Sequence, residues 1–111
     1  MRAAEWKQAV DVCRRGLKHF PYDLDILGNQ TQSLYVCGDL DATQESALLR
    51  LSLRRDVQSL EEVTLVMSAQ RKACRDTDLP KAIQFARMEF QLIREGLTMN
   101  PHFRLFKKIC G

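Results

Sequence analysis

The chain has 111 residues, 45% of them hydrophobic and 28% charged, and a formal net charge of +3. That length fits one domain, residues 1–111, able to bury a core, and the mix excludes disorder across the body of the chain. The basic excess is too small for a dedicated nucleic-acid binder, and 5 glycines and 3 prolines are too few for a loop-rich or all-β fold.

Residues 3–19 place Trp6, Ala9, Val10, Cys13 and Leu17, followed by Phe20, at steps of three and four, which predicts an amphipathic helix stopped by Pro21. A second helix is expected from Asp23 or Asp25, through Leu24, Leu27, Leu34 and Tyr35, to Gly38. Asp39 or Asp41 caps a third, containing Ala42, Ala47, Leu48, Leu51 and Leu53, with Arg54-Arg55 in its last turn, where cations suit the helix dipole. Ser59 and Glu62 have the spacing of a capping box opening a fourth helix that runs to Cys74. Val63, Thr64 and Val66 are β-branched and locally allow a strand, but the length and charged flanks favour the helix. Asp76-Thr77-Asp78 breaks the chain, and Pro80 suits the first turn of a fifth helix through Ile83, Phe85, Ala86, Phe90, Ile93 and Leu97. Pro101 opens a short sixth helix with Phe103, Phe106 and Ile109 on one face. Short links make consecutive helices antiparallel neighbours, so the expected fold is all-α.

Two segments of the chain resemble each other. Cys13-Arg14-Arg15-Gly16-Leu17-Lys18-His19-Phe20-Pro21 and Ile93-Arg94-Glu95-Gly96-Leu97-Thr98-Met99-Asn100-Pro101 share Arg, Gly-Leu and Pro in register. A small residue at Gly16 and Gly96 allows close helix approach, and self-similarity of this kind marks a helical solenoid. Ala9, Cys13, Gly16-Leu17 and Pro21 match the second helix of a tetratricopeptide repeat, and Ile93, Gly96-Leu97 and Pro101 match it again, with Glu89 where that pattern has Ala. The hairpin between Asp23 and Arg55 follows in outline, Arg55 lying about 34 residues beyond Pro21. It has no small residue at Arg50, its alanine, Ala42, comes one place early, and 46 residues separate Arg55 from Pro101. The chain thus resembles a degenerate tetratricopeptide-repeat array, which implies antiparallel hairpins stacked as a short α–α superhelix. It begins on a second-helix pattern and ends as a first helix starts, which suggests a piece of a longer solenoid or one chain of an assembly.

The resemblance implies a protein-interaction scaffold or adaptor that takes a peptide or partner protein in a groove lined by the first helix of each pair. By register the groove side chains are Asp25, Asn29, Gln32 and Tyr35, then Glu62, Val66 and Gln70. Amides beside an aromatic suit an extended peptide, whose backbone groups need hydrogen-bond partners. The lysine and paired asparagines of the family's carboxylate clamp are not all present.

Other patterns carry less. Asp39-Leu40-Asp41-Ala42-Thr43 after Leu34-Tyr35-Val36-Cys37 resembles the nucleophile motif of haloacid-dehalogenase-like phosphatases, but that chemistry needs a strand and a parallel sheet, and no βαβ alternation is present. A helix–helix connection capped by aspartates is the simpler reading, and neither an enzyme nor a catalytic residue is expected. The basic clusters Arg14-Arg15, Arg54-Arg55, Arg71-Lys72-Arg75 and His102 to Lys108 keep an RNA-binding helical repeat as the alternative function. Cys13, Cys37, Cys74 and Cys110 form no C-x-x-C pair, so no metal or cofactor is expected; scattered thiols suit buried small side chains in the cytoplasm. Trp6, Phe85, Met88 and Phe90 are read as helix packing. No apolar run approaches the roughly 20 residues of a membrane span, so no membrane is expected as a partner, and self-association is a further option.

Overall fold

Four aspartates start four of the five helices in the computed structural model, which describes residues 3–100. α1 covers Ala3–His19, α2 Leu24–Cys37, α3 Leu40–Leu53, α4 Val57–Cys74 and α5 Leu79–Met99. Asp23, Asp39, Asp56 and Asp78 each accept a hydrogen bond from the backbone N–H three residues on, at Ile26 (3.0 Å), Ala42 (3.2 Å), Ser59 (2.8 Å) and Lys81 (3.2 Å). Each bond satisfies one of the N–H groups that a helix start leaves without an internal partner. The fold of the described residues is therefore all-α, as expected. The sixth helix expected from Pro101, with Phe103, Phe106, Ile109 and Cys110, lies outside the described residues.

Two boundaries differ from expectation. α3 ends at Leu53, and Arg54 is its C-cap in extended conformation, so the last turn carries Arg50 rather than the Arg54-Arg55 pair. α4 starts one turn early, because Asp56 caps it and Ser59 is the residue whose N–H is capped. Ser59 and Asp56 are comparable caps, and the earlier one adds a turn of hydrogen bonds.

The chain divides into two compact units, Met1–Arg54 and Arg55–Gly111. In the first, α2 packs on both α1 and α3. Its buried apolar side chains are Val10, Cys13, Leu27, Leu34, Ala47 and Leu51. Gly16 belongs to the α1–α2 contact: a Cβ there would lie 3.2 Å from Ile26 Cδ1. Gly28 of α2 faces the guanidinium of Arg50, whose Cζ would lie 3.5 Å from an added Cβ. The small residue missing at position 50 is thus supplied by the opposite helix. Thr31 Oγ1 lies within hydrogen-bond distance of Leu27 O and Ser46 Oγ, both at 2.8 Å, and Ser46 Oγ lies 3.3 Å from Leu27 O and 3.1 Å from Gln30 Oε1. Residues 28 and 31 meet 50 and 46, so rising numbers on α2 meet falling numbers on α3, and the two run antiparallel. The turn between them uses Gly38 at φ +86, a conformation that side chains with a Cβ adopt at a cost.

In the second unit α4 packs on α5. Leu60, Val63, Val66 and Met67 of α4 and Ala82, Phe85 and Leu92 of α5 are its buried apolar side chains. Fully burying each of the larger ones contributes roughly 1.5–3 kcal/mol. α5 buries Ala82, Phe85, Glu89, Leu92 and Gly96, a single stripe at steps of three and four. Glu89 sits in that stripe only 5% exposed, and Arg71 Nε donates to its Oε1 at 2.5 Å. The Arg71 guanidinium also reaches Ser68 Oγ at 3.5 Å. Arg55 grips Glu95 with two nitrogens, at 2.5 and 2.6 Å. The 71–89 and 55–95 pairs give α4 and α5 opposite directions.

Candidate functional site

The expected groove residues fall into two groups. Asp25, Asn29, Gln32 and Tyr35 recur at steps of three and four along α2 and are all exposed, Tyr35 by 46%. On the other side of that helix Leu27, Thr31 and Leu34 are buried and fix which stripe looks outward. Among the described residues, no hydrogen bond engages the side-chain amide of Asn29 or Gln32. An aromatic ring and two amides are therefore presented together on successive turns.

The residues expected on the fourth helix are placed differently. Glu62 is half-buried, Val66 is 2% exposed and Gln70 is 8% exposed. α4 buries Ser59, Leu60, Val63, Thr64, Val66, Met67, Ser68 and Gln70. That is more than one face of the helix, so a register that points outward on α2 points into packed surroundings here.

A third surface was not anticipated. Phe90 is 63% exposed and Ile83 46%, so these two do not serve as packing in α5, and Met88 is also exposed. Phe85 does pack, being buried in the stripe that carries Glu89. Helical periodicity explains the split: with Phe85, Glu89 and Leu92 turned inward, residues 83, 87, 90 and 94 emerge on the opposite side. They line a shallow open depression with Ala86 and Gln91. The Arg94 guanidinium lies over the Phe90 ring, 5.9 Å from its centroid, within cation–π range. The signal was present in the sequence as a second seven-residue spacing, Ile83 to Phe90 and Arg87 to Arg94.

Charge within the second unit is partly neutralised internally. Arg71 and Arg55, both members of the basic clusters, hold Glu89 and Glu95. Hydrogen bonding to Arg55 keeps the Glu95 carboxyl below its ordinary range and raises Arg55, burial acting against both. Arg75 and Asp76 approach only to 3.9 Å, and both are largely exposed.

The aspartates of the phosphatase-like segment lie in a helix–helix turn. Leu34 to Cys37 are the last residues of α2 rather than a strand, Asp39 caps α3, and Asp41 stands in its first turn. Among the described residues no three His, Cys, Asp or Glu side chains gather as a metal-binding set. Cys13 is buried, which raises its thiol pKa; Cys37 and Cys74 are half-buried, and all three are free thiols. Trp6 is half-buried. No helix among the described residues is long and apolar enough to cross a membrane.

No protein-family model matches the chain, and neither does any curated protein or solved structure.

Proposed function

We propose that the chain is a helical protein-interaction module of tetratricopeptide-like design, acting as a scaffold or adaptor rather than as an enzyme. The observation that carries this reading is the α2 stripe of Asp25, Asn29, Gln32 and Tyr35, exposed together on a helix braced on both sides by α1 and α3. A helix held by two neighbours presents its outer residues with little conformational freedom left to lose on binding. Side-chain amides can donate to and accept from the backbone of an extended peptide, and the Tyr35 ring offers apolar area with a polar end. The repeat register also supports the reading. Thr43, Ala47, Arg50 and Leu51 stand 34 residues after Ala9, Cys13, Gly16 and Leu17, and all four are buried. Free, scattered thiols fit a reducing compartment, and we place the chain in the cytoplasm.

The experiment is affinity capture from lysate on the purified chain, followed by binding measurements with each captured protein across a salt series. Asn29→Ala, Gln32→Ala and Tyr35→Ala, combined, should weaken a genuine partner at least tenfold while leaving helicity unchanged. A captured protein that binds the triple variant as well as the parent would refute the α2 site. Capture of RNA alone, released steeply by salt, would favour the RNA-binding alternative.

A further inference from the structure

The outer face of α5 has an apolar centre and a one-sign rim. Ile83, Ala86 and Phe90 form the centre, and Arg87 and Arg94 stand beside them. The stripe from 83 to 94 is about 16 Å long at the α-helical rise. Both carboxylates of α5 are committed to internal ion pairs, Glu89 with Arg71 and Glu95 with Arg55. Among the described residues no carboxylate pairs with Arg87 or Arg94, so the exposed face is cationic without compensation.

We propose that this face docks an acidic amphipathic helix of a partner protein, laid along α5 with apolar residues over Ile83, Ala86 and Phe90 and carboxylates against Arg87 and Arg94. Charge selects this occupant over the others. A second copy of the chain would set Arg87 and Arg94 against their own equivalents, and like charges across an interface are unfavourable. The chain's own segment 101–111 carries Arg104, Lys107 and Lys108 and no Asp or Glu, so it has the same sign as the face. A helical partner suits the stripe because anchors at i, i+3, i+4 and i+7 match the spacing of the residues beneath them. Arginine is the cation best suited to the task, since its planar fork binds carboxylates through two nitrogens. With only two arginines and two large exposed apolar side chains, the face offers a nucleic-acid backbone or an anionic bilayer less than it offers a single amphipathic helix. This surface is separate from the α2 stripe and stands or falls independently of it.

The test uses the full chain and a designed helical peptide with leucines at i, i+4 and i+7 flanked on both sides by glutamates, labelled for fluorescence anisotropy. Two controls are a scrambled peptide of the same composition and a version with lysine for every glutamate. The parent chain should bind the acidic peptide and neither control, with amide shifts on NMR confined to α5. Arg87→Glu with Arg94→Glu should weaken the acidic peptide at least tenfold and gain binding of the lysine version, a swap that a merely unfolded variant would not produce. Phe90→Ala should weaken it without changing charge preference. All these side chains are exposed, so circular dichroism of the variants should match the parent. Equal binding of the scrambled peptide, no binding of the acidic peptide, or indifference to the charge reversal would overturn the proposal. So would an Arg87- and Arg94-dependent preference for single-stranded oligonucleotide or for phosphatidylserine vesicles over the acidic peptide.

Discussion

Glu89→Ala tests the internal account of the second unit most directly. Alanine is the best helix former, so a purely local view makes the substitution neutral or mildly stabilising. The structure reverses that sign. Glu89 is 5% exposed and accepts from Arg71 at 2.5 Å. Removing one partner of a buried ion pair costs about 3–5 kcal/mol. The Arg71 side chain is 27% exposed and can regain part of its hydration, which lowers the expected cost to about 2 kcal/mol. For a segment of this size, with a urea m-value of about 1–2 kcal/mol/M, the midpoint should fall by about 1 M or more. Hydrogen exchange at the α4 and α5 amides would report the loss in this unit, which matters because a chain of two units need not unfold as one. Arg71→Ala alone and the double variant complete a cycle, and the coupling should be about 1–2 kcal/mol. Replacing both residues with methionine should recover the parent's stability or exceed it, since no charge is then buried. A Glu89→Ala chain as stable as the parent would refute the reasoning, because it would mean that the pair contributes nothing net.

Three further perturbations follow from the geometry. Gly16→Leu should destabilise the first unit by about 1–3 kcal/mol through overpacking against Ile26, whereas Gly16→Ala should change little, because a flexible side-chain end is what has to move; thermal melts distinguish the two. Gly38→Ala should cost about 1 kcal/mol in chemical denaturation through its φ of +86 alone, since an added Cβ there meets nothing within 4 Å. The Arg55–Glu95 pair should contribute at most about 1 kcal/mol, being half-exposed on the arginine side. Glu95 has its carboxyl pKa lowered in the folded state, so that contribution is present above the ordinary glutamate range and is lost as pH falls through the depressed value. Glu95→Gln should therefore flatten the acid limb of a stability–pH profile, and high salt should do the same to the parent.

Among the described residues the number of helices, their class and most of their starts were legible because the interactions that decide them are local. Asp23, Asp39 and Asp78 each reach a backbone N–H three residues on, and Pro21, Gly38 and Pro80 punctuate the chain by their own backbone chemistry. Asp56 does the same, but Ser59 offered a competing cap at the same spacing, and the choice between them changed only the first turn of α4. On α2, Leu27 and Leu34 against Asn29 and Gln32 leave one phase open to solvent, and the exposed stripe followed from the sequence. On α4 and α5 the hydrophobic pattern was not enough. Val66 and Gln70 are buried with residues on more than one face of α4, which the hydrophobic spacing of α4 does not announce. Phe90 and Ile83 are exposed because the inward phase of α5 is set by Phe85 and Leu92 together with a glutamate whose burial depends on Arg71, eighteen residues away. Arg55, which adjoins Asp56 in sequence, takes its carboxylate from Glu95, forty residues away. The energy of a charge depends on its distance to the opposite charge and on the water between them, and that distance exists only once the helices have paired.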